Sequence, residues 1–205
     1  MNNVLSDLFT NLDDFVVAAS GEADSYRPDL FEAKTRATVR FADPAAWTTA
    51  TAVAVALAGA GDLLAEWRHQ IGMIAISDQG PAAAMAKVQA DGTTGFSSPL
   101  HYAASSPGTL VGVSAIAFGL RGPTMNLTMA PLNGVPVALI LCAGWLERKA
   151  ARFMVVATHR TCNSGAMASR AVLVAPAGFP GSGKPMTQSD AAWLAFSAPA
   201  GEVCA

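Results

Sequence analysis

The sequence predicts an α/β protein built on a mixed sheet, and three observations carry that prediction. Short apolar runs alternate along the chain with longer Ala- and Leu-rich stretches of helical length. The short runs are continuously apolar rather than alternating, the mark of strands covered on both faces. Hydrophobic residues make up 52% of the 205 residues and charged residues 14%, which fills such layers and excludes a disordered chain. The expected order is βαβαβαββ, a mixed five-stranded sheet with one buried central helix.

Phe15–Ser20 (FVVAAS) is the first strand, followed by a polar loop through Arg27-Pro28-Asp29. Asp43-Pro44 starts a helix, with Asp as N-cap and Pro at the first helical position. Ala45–Ala58 continues it, and Gly59 and Gly61 stop it. Ile71–Ile76 (IGMIAI) is the second strand and Pro81–Ala90 a short helix. Pro107–Leu120 is a helix of small residues ending at Gly119, before Arg121-Gly122-Pro123. Thr124–Met129 (TMNLTM) reads as the third strand. Asn133–Lys149 is a helix with Asn133 as cap and Arg148-Lys149 at its negative dipole end. Its residues Val135, Leu139, Ile140, Leu141, Cys142, Trp145 and Leu146 cover every face, so it is expected to be buried all round. Phe153–Ala157 and Ala171–Ala175 complete the strands. The chain divides into a single domain over 1–178 and a Gly/Pro-rich surface tail over 179–205, with one short helix near Ala191–Ala195.

Composition narrows the function classes. Thirteen basic against 15 acidic residues leave no positive excess for a phosphate backbone, so no nucleic-acid partner is expected. Gly92–Leu120 and Gly122–Leu146 lack Asp, Glu, Lys and Arg but are interrupted by Ser-Ser-Pro, Pro and Gly, so neither reads as a membrane span. The start, Met1-Asn2-Asn3-Val4 with Asp7, has no basic and apolar leader. Cys142, Cys162 and Cys204 show no metal-ligand spacing, so no metal or cofactor is expected and reduced thiols in the cytoplasm are. The apolar excess points to a protein partner.

One lookalike is set aside. Gly178–Pro185 matches G-x-x-x-x-G-K but has Pro185 where a hydroxyl must bind magnesium.

Ala115-Ile116-Ala117-Phe118-Gly119-Leu120-Arg121-Gly122-Pro123 resembles the helix end and turn before the nucleophile strand of the β-ketoacyl synthases, condensing enzymes of the thiolase fold. Thr124–Met129, the helix after Gly134, Arg152–Thr158 and Ile71–Gly80 are similar to neighbouring parts of that family, and the element order fits one thiolase half. The resemblance covers about residues 12–178. It implies a nucleophilic cysteine eight residues after the Gly-Pro turn, where a helix N-terminus stabilises thiolate and oxyanion. Here that position is Pro131, which has neither a nucleophile nor an N–H. Members of the family are about twice this length, with catalytic histidines in the half this sequence lacks; His69 and His101 read as surface or structural residues.

The implied role is therefore that of a nucleophile-less partner, similar to the chain length factors of type II polyketide synthases of the highly reducing or aryl-polyene kind. The resemblance implies a heterodimer with a full-length ketosynthase, served by an acyl carrier protein. It places the interface at Thr124, Met125, Asn126, Leu127, Thr128, Met129 and Asn133, with core packing the simpler role for Met129. It places a tunnel gate at Gln79, Gly80, Pro81, Ala82, Ala83, Ala84 and Met85, a segment that equally reads as an ordinary Ala-rich helix. The alternative is a stand-alone acyl-thioester enzyme, an acyltransferase or malonyl decarboxylase, using Cys162 and His159.

Overall fold

The computed structural model describes residues 15–93, 95, 98–178 and 183–196. Six strands form one mixed sheet in the order β3-β2-β4-β5-β1-β6. They are β1 (Phe15–Ala23), β2 (Ile71–Ile76), β3 (Thr124–Leu127), β4 (Phe153–Thr161), β5 (Met167–Pro176) and β6 (Lys184–Pro185). β2 runs parallel to both β3 and β4, while β5 is antiparallel to β4 and β1, and β6 is antiparallel to β1. The helices are α1 (Ala33–Thr38), α2 (Pro44–Gly59), α3 (Ala82–Thr93), α4 (Pro99–Ala104), α5 (Thr109–Phe118), α6 (Pro131–Glu147) and α7 (Gln188–Leu194).

The continuous apolar strands do what their composition demands. On one face Ile74, Ile76, Met154, Val156, Val172 and Val174 pack under α6 and α7. On the other, Met73, Ala75, Phe153, Val155, Ala171 and Leu173 pack with residues of α2 and α5. The two sets alternate along each strand, so β2 and the middle stretches of β4 and β5 are apolar on both faces.

The segment Ala115–Pro123 is recognisable because its residues carry backbone geometry. Gly119 ends α5 in the left-handed region, φ 67°, and Leu120 N–H returns to Ala115 C=O at 3.0 Å. Gly122 lies against the start of β2, where a Cβ would come within 2.6 Å of Gly72 N and 2.7 Å of Ile71 O. Its N–H donates to Ile71 C=O at 3.0 Å, and Met73 N–H donates to Pro123 C=O at 2.9 Å. The turn thus lays β3 in register on β2.

Several expectations change. The sheet has six strands rather than five, because Lys184–Pro185 pairs with β1. Where a surface tail is expected, α7 docks instead: Leu194 is fully buried, Thr158 Oγ1 donates to Leu194 C=O at 2.8 Å, and Arg170 donates to Trp193 C=O at 2.7 Å. Arg170 also reaches Glu22 at 2.7 Å and stacks on Trp193 and Phe196. The helix α6 starts two residues earlier than Asn133, with Pro131 in its first turn and Ala130 as an N-cap that makes no side-chain bond. Nor is α6 buried all round. Pro131, Gly134, Val135, Ala138, Leu139, Cys142 and Leu146 face the sheet, while Leu132, Val137 and Ile140 are 64%, 37% and 50% exposed. A flat sheet covers one side of a helix, and among the described residues no second layer covers the other. Lys184, the lysine of the P-loop lookalike, sits in β6 with Nζ 2.6 Å from Asp190 and precedes no phosphate-cradling helix.

Candidate functional site

The parallel strands β3, β2 and β4 all end on one edge of the sheet, the place where crossover connections leave a crevice in α/β folds. Three segments meet there: Ser77–Pro81 after β2, Thr128–Pro131 after β3, and His159–Thr161 at the end of β4.

The β2 segment is a tight turn. Ser77 Oγ accepts from Gly80 N–H at 3.0 Å and from Gln79 N–H at 3.3 Å, and Gly80 takes a left-handed φ of 55°. Ser77 N–H donates to Leu127 C=O at 3.1 Å, which joins this turn to β3. The side-chain amide of Gln79 donates to Thr161 C=O at 3.0 Å, which joins it to β4. Of the residues expected at a gate, Gln79, Ala82 and Met85 line an open groove of about 510 Å³, with Ala86, Val88, Gln89 and Ser105. Gly80 and Pro81 are buried beneath the turn, and Ala83 is exposed but does not line the groove.

The orientation of α3 depends on one carboxylate. Asp43 is buried; its Oδ1 accepts from Ala45 N–H at 2.8 Å as the cap of α2, and its Oδ2 accepts from Ala84 N–H at 2.7 Å in the first turn of α3. The capping half of this arrangement is readable in Asp43-Pro44; the second half joins residues 41 apart and leaves no mark in local sequence. An Asp43→Ala chain is expected to lose about 2–3 kcal/mol in urea unfolding, one cap plus one buried amide left unsatisfied. A loss under about 0.5 kcal/mol would show that the carboxylate does not hold both helices.

After β3, the expected nucleophile position is occupied by the buried ring of Pro131 at the first position of α6. Asn133 and Gly134 N–H groups both donate to Ala130 C=O at 2.9 Å, so these two amides turn inward and away from any ligand. Gly134 is the point of closest approach to β2: a Cβ there would meet Ile76 Cγ2 at 2.3 Å. Thr124 and Thr128 are exposed, and Met125, Leu127 and Met129 are half-buried against the core below α6. Met129 packs in part against that core. Asn133 is exposed on α6.

Among the described residues β3 is an edge strand with its second side unpaired. The bonds to Pro123 and Leu127 C=O fix which residues face β2, so by alternation the backbone groups of Thr124, Asn126 and Thr128 face outward. The side-chain amide of Asn126 is buried and finds no hydrogen-bond partner.

His159 and Cys162 do not form a catalytic pair. The ring of His159 lies wholly inside the hairpin of β4 and β5, its Nδ1 2.9 Å from Ser169 Oγ and its Nε2 3.2 Å from Thr161 Oγ1. Ser169 Oγ is in turn 3.4 Å from Thr49 Oγ1, whose own proton goes to Ala45 C=O at 2.8 Å. Burial pulls the imidazole down to about 4, opposed by the charge of Asp78, so the ring is neutral and structural. Cys162 is disulfide-bonded and offers no free thiol, contrary to the expectation of three reduced cysteines. Cys142 is a free thiol on the sheet-facing side of α6, but burial pushes its pKa far up and keeps it protonated. No local sequence pattern marks Ser77, Ser169 or Thr49 as site residues. Their roles arise from contacts between strand ends that are far apart in the chain.

No group of three or more metal-ligating side chains occurs among the described residues, and no described helix is long and apolar enough to cross a membrane. No protein-family model and no curated protein matches the chain. Solved structures do, at the level of fold, and ketosynthases and chain length factors are among them. The ishigamide ketosynthase/chain length factor superposes with a TM-score of 0.65 and 12% identity over 84% of this chain and 64% of its own. A β-ketoacyl synthase from Burkholderia phymatum gives 0.61 and 12% over 80% of this chain and 59% of its own. The ketosynthase ApeO in complex with its chain length factor ApeC, from Xenorhabdus doucetiae, gives 0.53 and 14% over 78% and 73%. The chain spans less than two thirds of the first two of these structures, and it has their α/β fold.

Proposed function

We propose that the chain is a chain-length-factor-like subunit that makes no covalent acyl intermediate itself, pairs with a cysteine-bearing ketosynthase and shapes the acyl tunnel of the pair. The observation that carries this reading is Pro131 at the start of α6, where the fold places a helix N-terminus at the strand ends and the sequence supplies neither thiol nor donor. The open edge of β3 supports a partner, since an unpaired parallel edge is a template for a further strand. The uncovered apolar side of α6 supports it too. On this reading Thr124–Met129 and Asn133 belong to the interface, and Gln79–Met85 forms the gate through the groove that Gln79, Ala82 and Met85 line. An acyl carrier protein delivers substrate to the pair, in the cytoplasm, and the synthase-like domain extends past residue 178 through β6 and α7. No observation favours an independent thioester enzyme built on Cys162 and His159.

The test is co-expression with a cysteine-bearing ketosynthase, read by size-exclusion chromatography and product analysis. A 1:1 complex that elongates acyl chains, inactive when the ketosynthase cysteine is replaced, is the expected result. A chain that stays alone and turns over malonyl thioesters would overturn the reading.

A further inference from the structure

The exposed apolar side chains are not spread evenly. Phe41, Leu100 and Ile116, each 38% or more exposed, all line one cavity of about 340 Å³ between the α1–α2 connection and helices α4 and α5. It shares no residue with the Gln79–Met85 groove or with the strand-end segments. Its volume holds roughly eleven atoms of water size, within the range of small-molecule sites.

The floor of this cavity is α5. Gly108 and Gly112, one turn apart, both line it, and a Cβ added at Gly112 would meet no atom within 4 Å. No neighbour among the described residues therefore requires a glycine there, although glycine costs a helix stability. The absent side chain leaves the slot its depth. The hydroxyls of Thr38 and Thr109 are turned onto the carbonyls of Lys34 and Ser106, at 2.9 and 2.8 Å, and leave those donors satisfied. No charged side chain lines the cavity. Outside the lining, the exposed Arg40 guanidinium stands 4.7 Å over the ring of Phe41, itself a lining residue, and has no carboxylate partner among the described residues. The nearby acid, Asp91, is engaged by His101 and Lys87.

From this geometry we infer that the cavity binds a single-chain amphiphile with an anionic head, a medium-chain fatty acid in its simplest form. The chain lies over Gly112 between Leu100 and Ile116, and the head meets Arg40. The inference does not depend on the proposed pairing with a ketosynthase, because every residue it uses belongs to this chain.

The test is titration of the full-length chain with dodecanoate and, separately, with dodecanol, read by calorimetry and by light scattering. Saturable dodecanoate binding is expected, weakened at least tenfold by Gly112→Leu and about threefold by Arg40→Gln. Dodecanol is expected to bind and to be indifferent to Arg40→Gln. Gly112→Ala, which raises helix propensity and so keeps the fold, is expected to weaken binding by a smaller factor. Absence of saturable binding, or binding unchanged in both Gly112 variants, overturns the inference. So does a change in oligomeric state with Gly112→Leu at unchanged dodecanoate affinity, which would make the cavity a protein contact.

Discussion

Asn126→Pro is expected to abolish complex formation with a ketosynthase while leaving the chain folded. On an outer strand a proline is tolerated where its missing N–H would have faced outward, and position 126 is such a place. The replaced amide side chain forms no hydrogen bond, so its loss leaves no partner orphaned. Across the interface the same change removes a central donor from the strand ladder and blocks the close approach of a second strand. A loss of at least a hundredfold in affinity, with circular dichroism unchanged, is the expected outcome. Binding at parental affinity would show that the partner does not add to β3, and would remove the main support for the interface at Thr124–Met129.

The second large effect is on acid stability. His159 is neutral and enclosed, with its folded pKa near 4 and an unfolded value of 6.5. The unfolded chain therefore takes up the proton first, and stability falls as pH drops through 6.5 towards 4. The full difference is about 3 kcal/mol below pH 4 and nothing above pH 7. Asp29, held low mainly by its hydrogen bond to Arg27, and Asp190, held low by Lys184 and Thr187 against the opposing effect of burial, contribute in a separate window. Their folded pKa values lie below 3.8, so their stabilisation is lost only in stronger acid. Urea midpoints measured from pH 7 to 4.5 check the sign. In His159→Gln the slope over that interval should flatten; an equally steep slope would assign the acid sensitivity to other groups.

Much of the sheet was legible because its strands are apolar on both faces, a pattern that needs no tertiary information. Ile71–Ile76 has the predicted bounds, and the Gly-Pro turn was readable because Gly119, Gly122 and Pro123 each satisfy a backbone constraint. Boundaries failed where pairing extends a strand into polar sequence. β4 and β5 run on through His159–Thr161 and Met167–Arg170, held by a hairpin whose Gly165 has a φ of 84°. The segment near Gln188–Leu194 looked like a surface helix because its anchors, Arg170 and Thr158, lie on strands. Asn133 looked like a cap because residue type favours it, but Pro131 already has the φ that starts a helix. The strand-end site was legible only in part: Pro131 came from a motif spacing, whereas the Asp43 bridge and the His159–Ser169 contact join residues that no local pattern connects.

The half-covered α6 has a thermal consequence. Closing a layer over Leu132, Val137 and Ile140 removes apolar surface from water, and such burial carries a negative heat-capacity change. The contribution of those side chains to any assembly therefore strengthens on warming and fades in the cold. Handling at ice temperature is the condition under which that contribution is weakest.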